Sequence, residues 1–154
     1  MKNGSKIMSL IDGSKKMSKS DPNEGSRINL LDPPEIITKK IKRAKSDSFN
    51  GIEFHNPDRA ESRNLLMIYS ILSGKEISQL EKELCQTGWG TFKKLITEQL
   101  IESLEPIQEK YKTLINDPHQ LNSILLEGKD KAGDLANKTL KRVKSKLGLF
   151  EMEK

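Results

Sequence analysis

The apolar positions fall into a few short clusters separated by polar stretches. Lys6-Ile7-Met8-Ser9-Leu10-Ile11, led by Ser5, reads as a short strand running into an Asp12-Gly13 turn. From Ser14 to Gly25 only Met17 is apolar, and the Ser, Pro, Asn and Gly content predicts an exposed, mobile loop. Asp32-Pro33-Pro34-Glu35 has the layout of a helix start, with an acidic cap and proline in the first turn. Ile36, Ile37 and Ile41 then fall on one side, and Lys39, Lys40, Lys42, Arg43 and Lys45 on the other. Residues 46–60 read as a second irregular stretch.

From residue 61 the spacing is helical almost to the end. Leu65, Leu66, Ile68, Tyr69 and Leu72 predict a helix stopped by Ser73-Gly74. Ile77, Leu80 and Leu84 predict a short helix of two or three turns. Gly88-Trp89-Gly90 breaks the chain, and Thr91 can cap the next helix. Phe92, Leu95, Ile96, Leu100, Ile101 and Leu104 recur at helical spacing towards Tyr111 and Leu114, with Pro106 inside the run. Asp117-Pro118 opens a last helix whose stripe is Leu121, Ile124, Leu125, Ala132, Leu135, Ala136, Leu140, Val143 and Leu147. Short connections between such helices predict a bundle, and the fold class is mainly α.

Composition supports thin amphipathic packing: 34% of the 154 residues are hydrophobic and 32% charged. The longest apolar runs are about four residues, too short for a membrane helix, which needs about 20. With no signal-like segment at the start, an intracellular, cytoplasmic location is expected. The lone cysteine, Cys85, excludes an internal disulfide and a cysteine-cluster metal site, and reads as a small buried apolar residue. The net charge of +5 is unevenly placed. Residues 1–50 hold eleven Lys and Arg against six Asp and Glu, and the remainder holds sixteen of each. A polyanion-facing surface is therefore expected in the first third.

The loop contains Lys16-Met17-Ser18-Lys19-Ser20. Two lysines three apart, interleaved with hydroxyl residues on a flexible segment, suit a polyphosphate, because ammonium groups are mobile point charges. A solvated Lys/Ser loop is the other reading of the same composition. The five letters, however, match the KMSKS signature of class I aminoacyl-tRNA synthetases. The flanks Ile28-Asn29-Leu30-Leu31-Asp32, Lys40-Ile41-Lys42-Arg43-Ala44, Asn64-Leu65-Leu66-Met67-Ile68-Tyr69, Gly88-Trp89-Gly90-Thr91-Phe92-Lys93 and Pro106-Ile107-Gln108-Glu109-Lys110-Tyr111 resemble tryptophanyl-tRNA synthetases of the bacterial type. The resemblance runs from about residue 5 to 149. Tyrosyl enzymes share the class and the loop, but a different C-terminal domain is expected of them.

The resemblance implies a ligase that activates tryptophan with ATP to the adenylate and transfers it to tRNA(Trp). It assigns Lys16 and Lys19 to the ATP triphosphate and the α-phosphate in transit, with Lys19 the foremost candidate. Met17, Ser18 and Ser20 would shape the loop, and Ile7 would lie beside the adenine through its backbone. Lys15 would only steer. Mg²⁺ would be held mainly through the ATP phosphates, with no protein metal site. A homodimer is implied for the complete protein. The family's second phosphate-binding signature, of His-Ile-Gly-His or Thr-Ile-Gly-Asn form, has no counterpart, since His55 precedes Asn56-Pro57 and His119 precedes Gln120-Leu121. The tryptophan pocket would also lie outside this sequence.

The expectation is thus the C-terminal part of a synthetase, whether an incomplete record or a truncated gene product. Residues 1–31 would end a Rossmann-like nucleotide-binding domain, with the ATP loop at 14–25. Residues 32–60 would connect it to an anticodon-binding helical bundle at 61–154. A truncated, non-catalytic tRNA-binding module is the alternative. Trp89 reads as a hydrophobic plug at a helix start, with stacking on a tRNA base as its other use. The basic faces Lys39–Lys45 and Lys138, Lys141, Arg142, Lys144 and Lys146 read either as solvated surface or as phosphate and anticodon contacts. Both histidines read as surface residues.

Overall fold

The computed structural model describes residues 6–149. Five α-helices carry the fold: α1 (Pro34–Arg43), α2 (Ala60–Ser73), α3 (Ile77–Leu84), α4 (Trp89–Ile115) and α5 (Pro118–Lys146), with a 3₁₀ turn at Glu24–Ser26. The chain divides into two compact units, Met1–Gln108 and Glu109–Lys154. The mainly helical fold class holds.

The first unit is built around one apolar core. Ile37 and Ile41 from α1, Leu65 and Leu66 from α2, Ile77, Leu80 and Leu84 from α3, and Phe92, Ile96, Leu100 and Leu104 from α4 are all buried. Leu10 and Ile52 enter it from the connecting segments. In α1, α3 and α4 these positions recur every three or four residues, so each of those helices turns one stripe inward. Gly74 ends α2 in the left-handed conformation at φ 69°, the stop its sequence predicts.

The expected strand near the start is not formed among the described residues. Met8 and Lys16 make only an isolated antiparallel bridge. The neighbouring backbone groups are satisfied by other partners. Leu10 N–H donates to Ser26 O at 2.9 Å, Leu10 O accepts from Lys45 N–H at 2.8 Å, and Met8 N–H donates to the Asn64 side-chain oxygen at 2.8 Å. A segment tied to a turn, a helix end and a side chain has no ladder to join.

Four local expectations are corrected. Asp32 does not cap α1; Pro33 occupies that position without a side-chain cap. The Asp32 carboxylate instead accepts from Asn29 N–H at 2.9 Å and from Lys40 Nζ at 2.5 Å. Lys40 thereby leaves the basic face and is buried, its charge met by Asp32. Thr91 does not cap α4, because the helix already starts at Trp89. Cys85 is exposed rather than buried, since it follows the end of α3 and its Sγ turns back to Lys82 O at 3.3 Å.

In the second unit, α5 begins as expected. Asp117 accepts from Gln120 N–H at 2.9 Å, and Pro118 occupies the first turn. Its stripe is not covered: no described residue of α5 is buried, and Leu125, Leu135 and Leu147 are all exposed. No helix among the described residues is long and apolar enough to cross a membrane.

Candidate functional site

The Lys16–Ser20 loop is braced at its base and open at its tip. Gly13 sits against the start of α2 so closely that an added Cβ would meet Ala60 C at 2.8 Å and Glu61 N at 3.0 Å. Only glycine allows that approach. Glu61, in the first turn of α2, is held by Lys45 Nζ at 2.8 Å. That bond keeps the Glu61 carboxyl below its ordinary range.

The next brace is Asp12. Its carboxylate accepts from Ser14 Oγ at 2.6 Å and Ser14 N–H at 3.0 Å, and Lys15 Nζ lies 3.1 Å away. The Ser14 hydrogen bonds, helped by Lys15, lower its pKa to about 2. Ser9 N–H then donates to Lys15 O at 2.8 Å, and Met17 N–H to Ile7 O at 3.0 Å. The far side is closed by Arg27, whose Nη1 donates to Asp21 O at 2.7 Å. Asn23 N–H donates to Asp21 Oδ1 at 2.8 Å, and Asn23 Oδ1 in turn caps the 3₁₀ turn at Gly25.

Between these braces the motif residues divide by role. Met17 is half-buried and packs on the core, facing an apolar cavity of about 200 Å³ that Ile7, Ile28, Ile68 and Leu72 help to line. It anchors the loop as an apolar peg. Ser18 and Ser20 are exposed, with their hydroxyls 3.1 Å apart. Lys16 and Lys19 are exposed, and among the described residues neither side chain has a hydrogen bond or ion pair. Lys15 is partly neutralised by Asp12, so the two signature lysines are the available cations of the loop. Ile7 is half-buried at the loop base, with its backbone oxygen engaged by Met17. All six sequence-predicted residues therefore belong to one small structure.

Other polar residues were not visible as site elements in the sequence. Asn64, on α2, grips the backbone of Met8 from both sides, donating through Nδ2 to Met8 O at 2.9 Å. Arg59 is fully buried and holds the 46–59 segment, donating through Nε to Asp47 Oδ2 at 2.9 Å and through Nη2 to Gly51 O at 2.8 Å. Although burial opposes it, the Arg59 guanidinium keeps the Asp47 carboxyl below its ordinary range. Lys93 reaches back from α4 to the end of α1, donating to Ala44 O at 2.6 Å and Lys42 O at 3.2 Å. It supplies cation and donors where a helix leaves its last carbonyls unpaired. Burial pushes the Lys93 ammonium below its ordinary pKa.

Both histidines are exposed, and no group of three or more His, Cys, Asp or Glu among the described residues could hold a metal ion. The donor set of the loop is cationic and hydroxylic, so it suits an anion and does not fit a divalent cation held by protein alone.

The family model for tRNA synthetases class I (W and Y) matches residues 3–105. A tryptophan–tRNA ligase of Prochlorococcus marinus subsp. pastoris is 77% identical over 154 residues, which is 100% of this chain and 46% of the relative. The chloroplastic/mitochondrial tryptophan–tRNA ligase of Arabidopsis thaliana is 47% identical over 148 residues, covering 96% of this chain and 36% of that protein. Among solved structures, tryptophanyl-tRNA synthetase from Mycoplasma pneumoniae superposes with a TM-score of 0.86 at 32% identity, covering 97% of this chain and 45% of its own. The chain spans about half the length of the curated bacterial relatives it matches. With the signature loop and the residues that brace it lying inside the matched span, the chain belongs to the class I tRNA synthetases (W and Y).

Proposed function

We propose that this chain is the signature-loop and helical part of a tryptophan–tRNA ligase, which forms tryptophanyl-adenylate from tryptophan and ATP and passes the acyl group to tRNA(Trp). The observation that carries the reading is the pairing state of the loop: among the described residues, Lys16 and Lys19 stand unpaired at the tip of a segment braced at both ends. Lys19 and Lys16 would lie against the phosphates, where negative charge moves onto the leaving pyrophosphate, and preorganised cations stabilise that transfer. The Ser18 and Ser20 hydroxyls would donate to phosphate oxygens. Ile7 would border the adenine through its backbone. Mg²⁺ would arrive with the ATP, since the donors of this loop do not hold it.

In this reading, residues 1–31 belong to the catalytic domain, 32–60 connect, and 61–154 serve the tRNA. The tryptophan pocket and the dimer surface would be supplied by the length that the relatives have beyond this chain. The cytoplasm is the location that protein synthesis calls for. Charging assays test the assignment. A complete protein carrying this segment should charge tRNA(Trp) with tryptophan and not charge tRNA(Tyr) with tyrosine, and the 154-residue chain alone should support no ATP–pyrophosphate exchange. Tyrosine charging, or turnover by the 154-residue chain, contradicts the reading.

A further inference from the structure

Lys16 and Lys19 have no side-chain partner among the described residues, so their place is set by the backbone that carries them. That backbone is fastened on both sides of Lys16. Lys15 O accepts from Ser9 N–H at 2.8 Å, and Met17 N–H donates to Ile7 O at 3.0 Å. Both bonds end on the neighbours of Met8, the residue that faces Lys16 in the antiparallel bridge. In a pair of this kind the opposed residues turn their own N–H and C=O groups away from each other. Those of Met8 meet the side chain of Asn64: Met8 N–H donates to Oδ1 at 2.8 Å, and Nδ2 donates to Met8 O at 2.9 Å. The Asn64 amide thus stands where a neighbouring strand would stand. Gly13, packed against Ala60 and Glu61 at the start of the same helix, holds the other end of this stem.

The geometry points to Asn64 as a positioning residue of the signature loop: through the Met8 peptide it sets where Lys16 and Lys19 meet the ATP phosphates. The inference rests on the ligase reading above, which makes those phosphates the target of the lysines. Asn64 touches no reacting atom; it acts through two backbone segments in series, residues 7–9 and residues 15–17. The amide is suited to that task, because it offers an acceptor and donors in one plane and so matches the N–H and C=O of a single residue. An ionised carboxylate at this position would lack the donor, and an aliphatic side chain would lack both groups. Asn64 is 5% exposed, so water does not replace the lost partner when the amide is removed. The Met8 peptide is then free to shift, and the lysines shift with it. A displacement of about 1 Å in a group that meets the reacting phosphates can cost about 100-fold in rate.

The test uses a complete protein carrying this segment and tryptophan-dependent ATP–pyrophosphate exchange. Asn64→Ala should slow exchange by about 10- to 100-fold, through kcat and the KM for ATP, and leave the KM for tryptophan within about twofold. Asn64→Gln, which keeps the amide but sets it one methylene further out, should fall between that variant and the parent. A double-mutant cycle with Lys19→Ala separates positioning from plain structural support. Because Asn64 acts through the lysines, Asn64→Ala should cost at least about fivefold less in the Lys19→Ala background than in the parent. Losses that multiply in full overturn the inference. So does a KM for tryptophan that rises as far as the KM for ATP, or exchange by Asn64→Ala at the parental rate. Should circular dichroism show that Asn64→Ala does not fold, Asn64→Gln carries the same cycle under the same criteria. Exchange by Lys19→Ala at the parental rate removes the ligase reading of the loop and this inference with it. A slow Lys19→Ala combined with fully multiplying losses removes only the role of Asn64.

Discussion

At the scale of single residues, the loop depends on contacts that leave no room for change. Gly13 has no Cβ because the start of α2 occupies that space, with Ala60 C only 2.8 Å from where it would sit. Gly13→Ala should therefore cost about 1–3 kcal/mol of stability and shift the loop base, as overpacking against backbone does. Urea unfolding checks the first effect, and amide chemical shifts of residues 14–20 the second. The sequence showed the Asp12-Gly13 turn but not this approach, because nothing local to the turn announces a helix forty-seven positions later. The same blindness explains Lys40 and Lys93. Lys40 reads by periodicity as a surface lysine, yet each long stem carries its charge to a partner distant in sequence, Asp32 in one case and the carbonyls closing α1 in the other.

At the scale of elements, the stop of α2 and the start of α5 were the most legible features, whereas the caps expected of Asp32 and Thr91 are not formed. Gly74 and the Asp117-Pro118 pair act through backbone geometry within a few residues, so local sequence suffices to predict them. The irregular 46–59 connection was legible only as irregular. Its order comes from a buried Arg59 whose guanidinium meets Asp47, with Glu53 Oε2 3.5 Å from Nη1 and Trp89 sharing the Asp47 carboxylate. Asp47→Ala removes one partner of a buried pair and should destabilise the protein by about 3–5 kcal/mol. The change should also shift Trp89 emission before unfolding begins, since the indole N–H loses its acceptor. Retention of wild-type stability in a denaturant titration would contradict that role for the pair. The expected first strand failed at this scale for a related reason, as its backbone groups were claimed by Asn64, Ser26 and Lys45, all distant in sequence.

At the scale of the whole molecule, charge links stability to the candidate function. Asp12, Asp32, Asp47 and Glu61 are all held below their ordinary values of 3.8 for Asp and 4.5 for Glu. The unfolded chain therefore binds protons more readily than the folded one. The stability these carboxylates contribute is fully present above pH 4.5 and is lost as pH falls towards the pKa of about 2 held by Asp12. Denaturant midpoints measured between about pH 7 and 3 should stay level and then fall below pH 4.5; a midpoint that rises in acid would contradict the linkage. The +5 surplus confined to the first fifty residues pointed to a polyanion from the outset. The structure narrows that surplus, since among the described residues Lys15, Lys40 and Lys45 are paired with carboxylates while Lys16 and Lys19 are not.

That contrast between neighbouring lysines supplies the most direct test. In a complete protein carrying this segment, tryptophan-dependent ATP–pyrophosphate exchange should be measured for Lys15→Ala and Lys19→Ala side by side. Loss of a transition-state cation is worth about 2–4 kcal/mol, so Lys19→Ala should slow exchange by about 30- to 1000-fold. Lys15→Ala, which removes a lysine already engaged by Asp12, should stay within about threefold of the parent. Exchange by Lys19→Ala at the parental rate, or an equal loss in both variants, would contradict the assignment of this loop to the ATP phosphates.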